Sequence, residues 1–299
     1  MNNANPNTIK HLWHDSDKAR YLNVLLLPTL LFCLSACSGL LFFPSEIHHF
    51  TPAVYHLDYQ DIYIDTQDGE KVHGWYMHAV PENSNGTVLF LHGNAENIST
   101  HFANISWLPD NGYNVFALDY RGYGLSTGSP SLSGALMDIE ASHRWLTEHP
   151  EVKGKPLYLL GQSIGASLSL TYAGQKRPDY LPFSGVIADA GFPSFPGIAK
   201  QKLAESWLTW PIQYVALLLI ESEFDPERYI DRIAPTPLLI IHSQRDNIIP
   251  FEKGKEIYRL ATQPKQFLVT NTAHTATFQK KKNRQAVLDF MQKSLLYRQ

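Results

Sequence analysis

The stretch LYLLGQSIGAS, residues 157–167, sets a serine between two glycines, after a run of strand-forming residues and before a run that can form a helix. A serine that only caps a helix makes no demand on residues two positions away. A sharp strand-to-helix turn does, because side chains at Gly161 and Gly165 would collide with neighbouring chain. The motif, from Gly161 to Gly165, therefore predicts a turn that exposes the Ser163 hydroxyl at the positive end of a helix. A plain tight turn is the alternative.

Six short apolar runs alternate along the chain with stretches of helical length. Runs without a polar face are typical of parallel strands that helices cover on both sides. Ahead of them, two segments flank a turn at Asp68-Gly69 and predict an antiparallel hairpin. We therefore expect an α/β fold with a mostly parallel central sheet, an N-terminal antiparallel hairpin and helices on both faces. The runs are TVLFLHG (87–93), YNVFALDY (113–120), LYLLGQS (157–163), SGVIADA (184–190), PLLIIHS (237–243) and KQFLVT (265–270).

Candidate partners of the serine follow the last two runs. A serine hydroxyl is a weak nucleophile and needs a base, which an acid in turn orients. Asp246 follows PLLIIHS and His274 follows KQFLVT, so both are expected at the carboxyl edge of the sheet, where ligands bind in such folds. The order Ser, Asp, His is the one that accompanies a strand-to-helix serine. Asp189, at the end of another run, is the competing acid. The alternatives without a catalytic role are a helix or turn cap for Asp246 and a surface loop histidine for His274.

The segment FLHGNAENIST supplies candidate donors for a negatively charged oxygen. Acyl transfer passes through an oxyanion that needs backbone amides already in place. The amide of Ile164 is one candidate, and the amide of Asn94, after Gly93, is the other. His92 is expected to brace this loop and not to act as the base.

Taken together, HGNAEN, LDYRGYGLS, GQSIGAS, RDNIIP and the late Ala273-His274 pair resemble the α/β-hydrolase superfamily, in particular the branch of alpha/beta hydrolase domain proteins that includes depalmitoylases. The resemblance covers residues 55–299 and implies a serine hydrolase for a carboxylic ester or thioester that needs no cofactor. Ala166 departs from the glycine that many relatives carry. Asp119 and Arg121 are interpreted as structural residues at the rim of the site.

The alternation of apolar runs and helical stretches is interrupted between residues 191 and 233, where a small helical cap is expected. Trp207, Trp210, Tyr214 and the leucines 217–219 belong to it. Two interpretations are open for these side chains: they line an acyl pocket, or they pack the cap onto the sheet. The first predicts a preference for medium or long acyl groups.

The N-terminal residues differ from the rest of the chain. Lys18 and Arg20 precede a long apolar run that ends in LSAC, which resembles the lipobox of bacterial lipoproteins. The resemblance implies a signal peptide over 1–36, a lipid on Cys37, a tether over 37–54 and a hydrolase domain over 55–299. The protein would then be exported and anchored on the periplasmic face of the outer or inner membrane of a Gram-negative bacterium. The alternative is an uncleaved transmembrane helix within 21–44.

Composition narrows the remaining possibilities. The net charge is −3, which argues against nucleic acid as a partner, and 44% of the residues are hydrophobic, enough for a substantial core. The thirteen histidines contain no HExxH, so no metal is predicted. The expected partners are a small acyl ester or thioester and the membrane. A non-catalytic lipoprotein that binds an acyl or peptide ligand, and a peptidase or acyltransferase with the same three residues, remain alternatives.

Overall fold

An eight-stranded sheet forms the centre of the fold. The structure is a computed structural model that describes residues 41–80 and 83–297, which belong to a compact unit spanning Gly39–Gln299. The predicted signal peptide and Cys37 lie outside the described residues. The ten described strands are β1 (Phe43–Pro44), β2 (Tyr59–Asp65), β3 (Lys71–Met77), β4 (Gly86–Leu91), β5 (Ala95–Glu96), β6 (Tyr113–Asp119), β7 (Leu157–Gln162), β8 (Phe183–Asp189), β9 (Leu238–Ser243) and β10 (Lys265–Thr270).

The strand order explains the fold class. The sheet runs β10-β9-β8-β7-β4-β6-β3-β2, and every neighbouring pair is parallel except β2 with β3 and β3 with β6. The antiparallel β2–β3 hairpin therefore sits at one edge of six parallel strands. This confirms the predicted α/β fold, and each predicted run begins and ends within a few residues of an observed strand. The strands β1 and β5 form a separate parallel pair.

Helices cover both faces of the sheet. The described α-helices are α1 (Ile98–His101), α2 (Trp107–Asp110), α3 (Leu132–Glu148), α4 (Ile164–Gly174), α5 (Phe195–Ala204), α6 (Ala216–Leu219), α7 (Phe251–Leu260) and α8 (Lys281–Ser294). Short 3-10 helices lie at Pro52–Tyr55, Phe102–Asn104, Trp210–Val215, Ser222–Phe224, Pro226–Arg228, Ile230–Arg232, Thr277–Gln279 and Leu295–Tyr297. Within the described residues, none of the helices has both the length and the apolar character needed to cross a bilayer.

Alternation along the central strands builds two cores. Neighbouring side chains of a strand point to opposite faces, and in β4 Leu89 and Leu91 join one buried cluster while Val88 and Phe90 join the other. All six residues of β4 are buried, which explains its unbroken apolar sequence. Helices were expected to cover both faces of every apolar run. The edge strand β10 differs, because its Val269 side chain is 46% exposed.

A helical insertion lies between β8 and β9, where the cap was expected. Helix α5 begins after Ser194, whose hydroxyl accepts a hydrogen bond from the Gly197 amide at 3.1 Å. Asp225 accepts hydrogen bonds from the Ser194 hydroxyl at 2.9 Å and from the Phe195 amide at 2.7 Å. The start of α5 is thus tied to a residue near the end of the insertion.

Residues 41–50, assigned above to the tether, are bonded to the domain. Phe43 donates its amide hydrogen to the Asn94 carbonyl at 2.8 Å. The Asn97 side chain donates to the carbonyls of Ser45 and Ile47 at 2.9 and 2.8 Å. The folded unit therefore begins well before residue 55, because these backbone groups find partners in the loop after β4.

Candidate active site

Ser163 lies at the turn between β7 and α4 in a strained backbone conformation. Its φ of 56° and ψ of −121° place it in a region that residues with side chains rarely adopt. A Cβ on Gly161 would lie 2.2 Å from the Gly165 carbonyl oxygen, and one on Gly165 would lie 2.2 Å from the Leu91 carbonyl oxygen. Both contacts are to backbone, so the two glycines are sterically required, as the motif predicts.

The three residues singled out for acyl chemistry lie together. His274 Nε2 is 3.0 Å from Ser163 Oγ, and His274 Nδ1 is 2.7 Å from Asp246 Oδ2. Asp246 follows β9 and His274 follows β10, so the parallel strands deliver both side chains to the edge where β7 ends. The Asp246 side chain is fully buried, whereas that of His274 is 17% exposed.

Asp246 is held as a carboxylate. Its Oδ1 accepts the amide hydrogens of Ile248 and Ile249, both at 2.9 Å. Burial acts to raise the pKa of Asp246, but the hydrogen bond with His274, the charge of His274 and these two amides outweigh it and lower the pKa below the usual value. An ionised Asp246 requires the proton on His274 Nδ1, which leaves Nε2 free to accept the proton of Ser163.

Asp189, the competing acid, contacts other residues. It accepts hydrogen bonds from Gln162 Nε2 at 2.8 Å and from the Thr277 hydroxyl at 2.9 Å. Burial raises the pKa of Asp189 to about 6, against the lowering effect of these two bonds. Gln162 also donates to the Thr275 carbonyl at 3.3 Å. Asp189 therefore supports the loop that carries His274 without contacting the imidazole.

Ile164 and Asn94, the candidate oxyanion donors, line the same pocket as Ser163. Ile164 is the first residue of α4, so its amide has no acceptor within the helix. Among the described residues, no acceptor takes the amide hydrogen of Ile164 or of Asn94, and both residues line the pocket beside Ser163. The Asn94 carbonyl accepts from the Tyr123 hydroxyl at 2.7 Å and from the Phe43 amide, which fixes the loop.

His92 and His101 pack behind that loop. His92 is buried, donates from Nδ1 to the Gly93 carbonyl at 2.6 Å and stacks on His101 at a ring-centroid distance of 5.3 Å. Burial, with a smaller contribution from the charge of His92, lowers the pKa of His101 to about 4. These contacts agree with a bracing role for His92.

Asp119 and Arg121 make internal contacts. Arg121 forms a salt bridge with Asp138 at 2.8 Å and another with Asp68 at 2.7 Å. Asp119 is buried and accepts the Ile98 amide hydrogen at 2.8 Å. Both side chains therefore connect the rim loops to the domain.

A pocket of about 330 Å³ opens beside Ser163, and its walls differ from the expectation. Trp207 is 87% exposed and Leu218 is 83% exposed, and neither lines the pocket. Trp210, Tyr214 and Leu217 are also exposed. The acyl-pocket interpretation is wrong, because none of the six side chains lines the pocket. The packing interpretation is wrong for the five exposed side chains, whereas Leu219 is half-buried. The apolar walls come from Leu41, Phe43, Phe192, Ile198, Ala199, Leu203, Ile248 and Ile249.

The sequence interpretation missed several residues of the site. Leu41 and Phe43 were assigned to the tether, and Ile198 and Leu203 lie in a cap helix that carried no marked motif. The apolar spacing of Ile198, Ala199 and Leu203 in FPGIAKQKLA is the one signal that indicates an inward helix face. Cys37, the predicted lipid site, lies outside the described residues.

Known proteins resemble this chain in sequence and in structure. Residues 82–228 match the family model for serine aminopeptidase, S33. The uncharacterized protein YfhR of Salmonella typhi is 31% identical over 265 residues, which cover 84% of this chain and 86% of that protein. The lysophosphatidylserine lipase ABHD12 of Danio rerio is 29% identical over 202 residues, which cover 64% of this chain and 51% of that protein.

A solved structure supports the same assignment at the level of fold. The esterase Pf2001 of Pyrococcus furiosus superposes with a TM-score of 0.67 at 24% identity, over 85% of this chain and 97% of that chain. The sheet order, the serine turn and these relatives agree, and the chain belongs to the α/β-hydrolase superfamily, in the family that includes YfhR.

Proposed function

We propose that this hydrolase cleaves a carboxylic ester or thioester through an acyl-enzyme intermediate on Ser163. The observation that carries the proposal is the unbroken chain of hydrogen bonds from Ser163 Oγ through His274 to Asp246. It lies at a pocket that also contains Ile164 and Asn94. A carbonyl group bound in this pocket would meet the nucleophile, its base and two candidate oxyanion donors, while Asp246 orients the base from its other ring nitrogen.

Each group has a defined step. Ser163 Oγ attacks the acyl carbon while its proton passes to His274 Nε2. Asp246 stabilises the imidazolium that forms, and the amides of Ile164 and Asn94 donate to the oxyanion. His274 then gives the proton to the leaving alcohol or thiol. In the second half, a water molecule loses a proton to His274 and attacks the acyl-enzyme. His274 then returns that proton to Ser163 Oγ as the C–Oγ bond breaks and the acid is released.

The pocket favours an acyl group over a peptide amine. An aminopeptidase, which the family description suggests, has to recognise a protonated α-amine, and an acidic side chain is the usual partner for that charge. Among the described residues that line the pocket, Lys202 is the one that carries a charge, and its sign repels an amine. The apolar walls and the lipase relative support a lipid ester or thioester.

A membrane tether accompanies this substrate class in our proposal. A lipid on Cys37 would be joined to Leu41, on the pocket wall, through three intervening residues, and these four Cα-to-Cα steps span at most about 14 Å. The exposed cap side chains Trp207, Leu208 and Leu218 are apolar and suit a lipid surface. Mass spectrometry of the mature protein tests the tether: an acylated N-terminal Cys37 is expected, and a chain that still begins at Met1 would contradict it.

Hydrolysis of an acyl series tests the reaction. Purified wild-type protein and Ser163→Ala are assayed with nitrophenyl esters and thioesters from acetyl to palmitoyl. We expect activity that rises with acyl length in the wild type and is lost in the variant by a factor of about 10⁴ or more. Activity confined to acetyl would contradict the acyl pocket. Ester cleavage that survives in Ser163→Ala would contradict the mechanism. Transfer to an added alcohol without release of acid would indicate an acyltransferase, and no reaction with any ester would favour a binding lipoprotein.

A further inference from the structure

Three side chains from distant parts of the chain meet behind the Asn94 loop. His48 lies in the segment before the hairpin, His73 lies in β3, and Asp119 ends β6. One ligand atom from each lies within 4.8 Å of the other two. His48 Nε2 is 3.1 Å from Asp119 Oδ2, and His73 Nδ1 is 3.8 Å from the same oxygen.

One nitrogen of this cluster is buried without a hydrogen bond. His73 is fully buried, and its Nδ1 has no hydrogen-bond partner among the described residues. Its Nε2 lies 2.9 Å from Asp61 Oδ1, which as a carboxylate oxygen only accepts, so Nε2 carries the proton. In the neutral ring the Nδ1 lone pair then points towards the Asp119 carboxylate. In the charged ring the Nδ1 hydrogen is too far from that oxygen for a hydrogen bond. Neither form satisfies this nitrogen.

We propose that His48 Nε2, His73 Nδ1 and Asp119 Oδ2 bind a divalent transition-metal ion of the Zn²⁺ type. Two imidazoles and one carboxylate are a ligand set that such ions accept. Two ligands at about 2.1 Å from a tetrahedral ion are about 3.4 Å apart, and the two distances to Asp119 Oδ2 lie on either side of that value. The His48 side chain is 15% exposed, so a solvent ligand can complete the shell from that side.

The surroundings of His73 resemble those of a metal-bound histidine. A ligating imidazole commonly donates its second N–H to a carboxylate, which fixes its tautomer and its orientation. Asp61 fills that place and is itself held by the Trp75 indole N–H at 2.9 Å. His48 Nε2 donates a hydrogen bond to Asp119 Oδ2 at 3.1 Å, so it becomes a metal ligand when its proton resides on Nδ1 instead.

The ion would have a structural role. Asp119 Oδ1 accepts the Ile98 amide hydrogen at the start of α1, and His48 follows the pocket-wall residues Leu41 and Phe43. A metal bond would therefore fasten the first described segment to the sheet and to the loop that carries Asn94. The site is distinct from Ser163 and takes no part in acyl transfer.

Metal binding by the purified full-length chain tests the proposal. The chain is prepared without a histidine tag, stripped with a chelator and titrated with Zn²⁺ or Co²⁺. We expect about one tightly bound ion per chain, visible Co²⁺ absorption bands and a thermal midpoint that rises with added Zn²⁺. In His48→Gln and His73→Gln, the Co²⁺ bands and the Zn²⁺-dependent shift should be lost. His49→Gln changes an adjacent, more exposed histidine outside the cluster and should retain both.

These readouts separate a metal site from a network of hydrogen bonds. His48→Gln alters the edge of the cluster, so it tests the site even if His73→Gln does not fold. A wild-type chain that binds no Zn²⁺ or Co²⁺ after stripping would overturn the proposal. So would bands and a thermal shift of equal size in the wild type and both cluster variants. Neither result depends on the esterase activity.

Discussion

His274 donates a hydrogen bond to Asp246 at 2.7 Å, and this contact identifies which of two strand-end aspartates partners the imidazole. Asp189 also lies at the end of a parallel strand, but its carboxylate is occupied by Gln162 and Thr277. The two acids therefore have separate expected effects, one on the tautomer of His274 and one on the loop that supports it.

Asp246→Asn should abolish most activity and leave the fold intact. The asparagine can still accept the amides of Ile248 and Ile249 but would present its NH₂ group to His274 Nδ1, so the ring proton would move to Nε2, where it blocks proton transfer from Ser163. We expect kcat to fall by about 10⁴. Steady-state ester hydrolysis measures the change. A loss below tenfold, in a variant whose circular dichroism matches the wild type, would argue against this role.

Asp189→Asn should alter the pH dependence of stability. The pKa of Asp189 in the folded protein, about 6, is above its unfolded value. Its stabilising contribution is therefore greatest below about pH 4 and is lost as the pH rises through about 6. Relative to the wild type, Asp189→Asn should gain free energy of unfolding between pH 4.5 and pH 8, on the order of 3 kcal/mol at most.

Urea unfolding of both proteins at the two pH values measures this difference. Thr277 can rotate its hydroxyl to accept from the asparagine, so the hydrogen bonds at this position can be kept. A difference between variant and wild type that is independent of pH would contradict the raised pKa.

Gly165→Ala should damage the serine turn. The added Cβ would meet the backbone oxygens of Leu91 and His92 at 2.2 and 2.5 Å, which cannot move without shifting β4. We expect a loss of about 3 kcal/mol or more in the free energy of unfolding, together with loss of activity. Gly154→Ala is the control, because Gly154 has a φ of +83° but no atom within 4 Å of the new Cβ. That variant should lose only about 1 kcal/mol. Equal losses in the two variants would contradict a collision at Gly165 as the reason for the glycine.

Leu203→Trp should shorten the preferred acyl chain. Leu203 lines the pocket, so a larger side chain there would occupy space that a long acyl group needs. We expect kcat/KM for long-chain esters to fall at least about tenfold, while acetyl ester cleavage is retained. Leu218→Trp places the same side chain on the exposed cap surface and should leave the acyl-length profile unchanged. If both variants showed the same profile, the pocket beside Ser163 would not be the acyl site.

Local sequence patterns were sufficient to predict the sheet and to predict that the three residues that follow its strands lie at one edge. Apolar runs mark parallel strands, and because their carboxyl ends share one edge, Ser163, Asp246 and His274 could be expected to lie near one another. The choice between Asp189 and Asp246 needed the hydrogen bonds themselves, because both residues follow a strand.

The pocket walls and the histidine cluster could not be predicted in this way. The segment with Trp207 and Leu218 folds as short irregular helices whose spacing does not reveal an inward face, so an apolar composition was a poor guide to position. Leu41, in turn, was grouped with the tether because nothing in the local sequence shows its contact with a distant loop. His48 and His73 meet Asp119 only through the tertiary fold.

Labelling with a fluorophosphonate probe tests most directly whether Ser163 is an activated nucleophile. Wild type, Ser163→Ala and Ser133→Ala are treated with the probe, and the modified peptide is identified by mass spectrometry. We predict that wild type and Ser133→Ala are labelled on Ser163, and that Ser163→Ala is not labelled. A folded wild-type protein that takes up no probe, or equal labelling of Ser163→Ala, would contradict the proposal that this chain is a serine hydrolase.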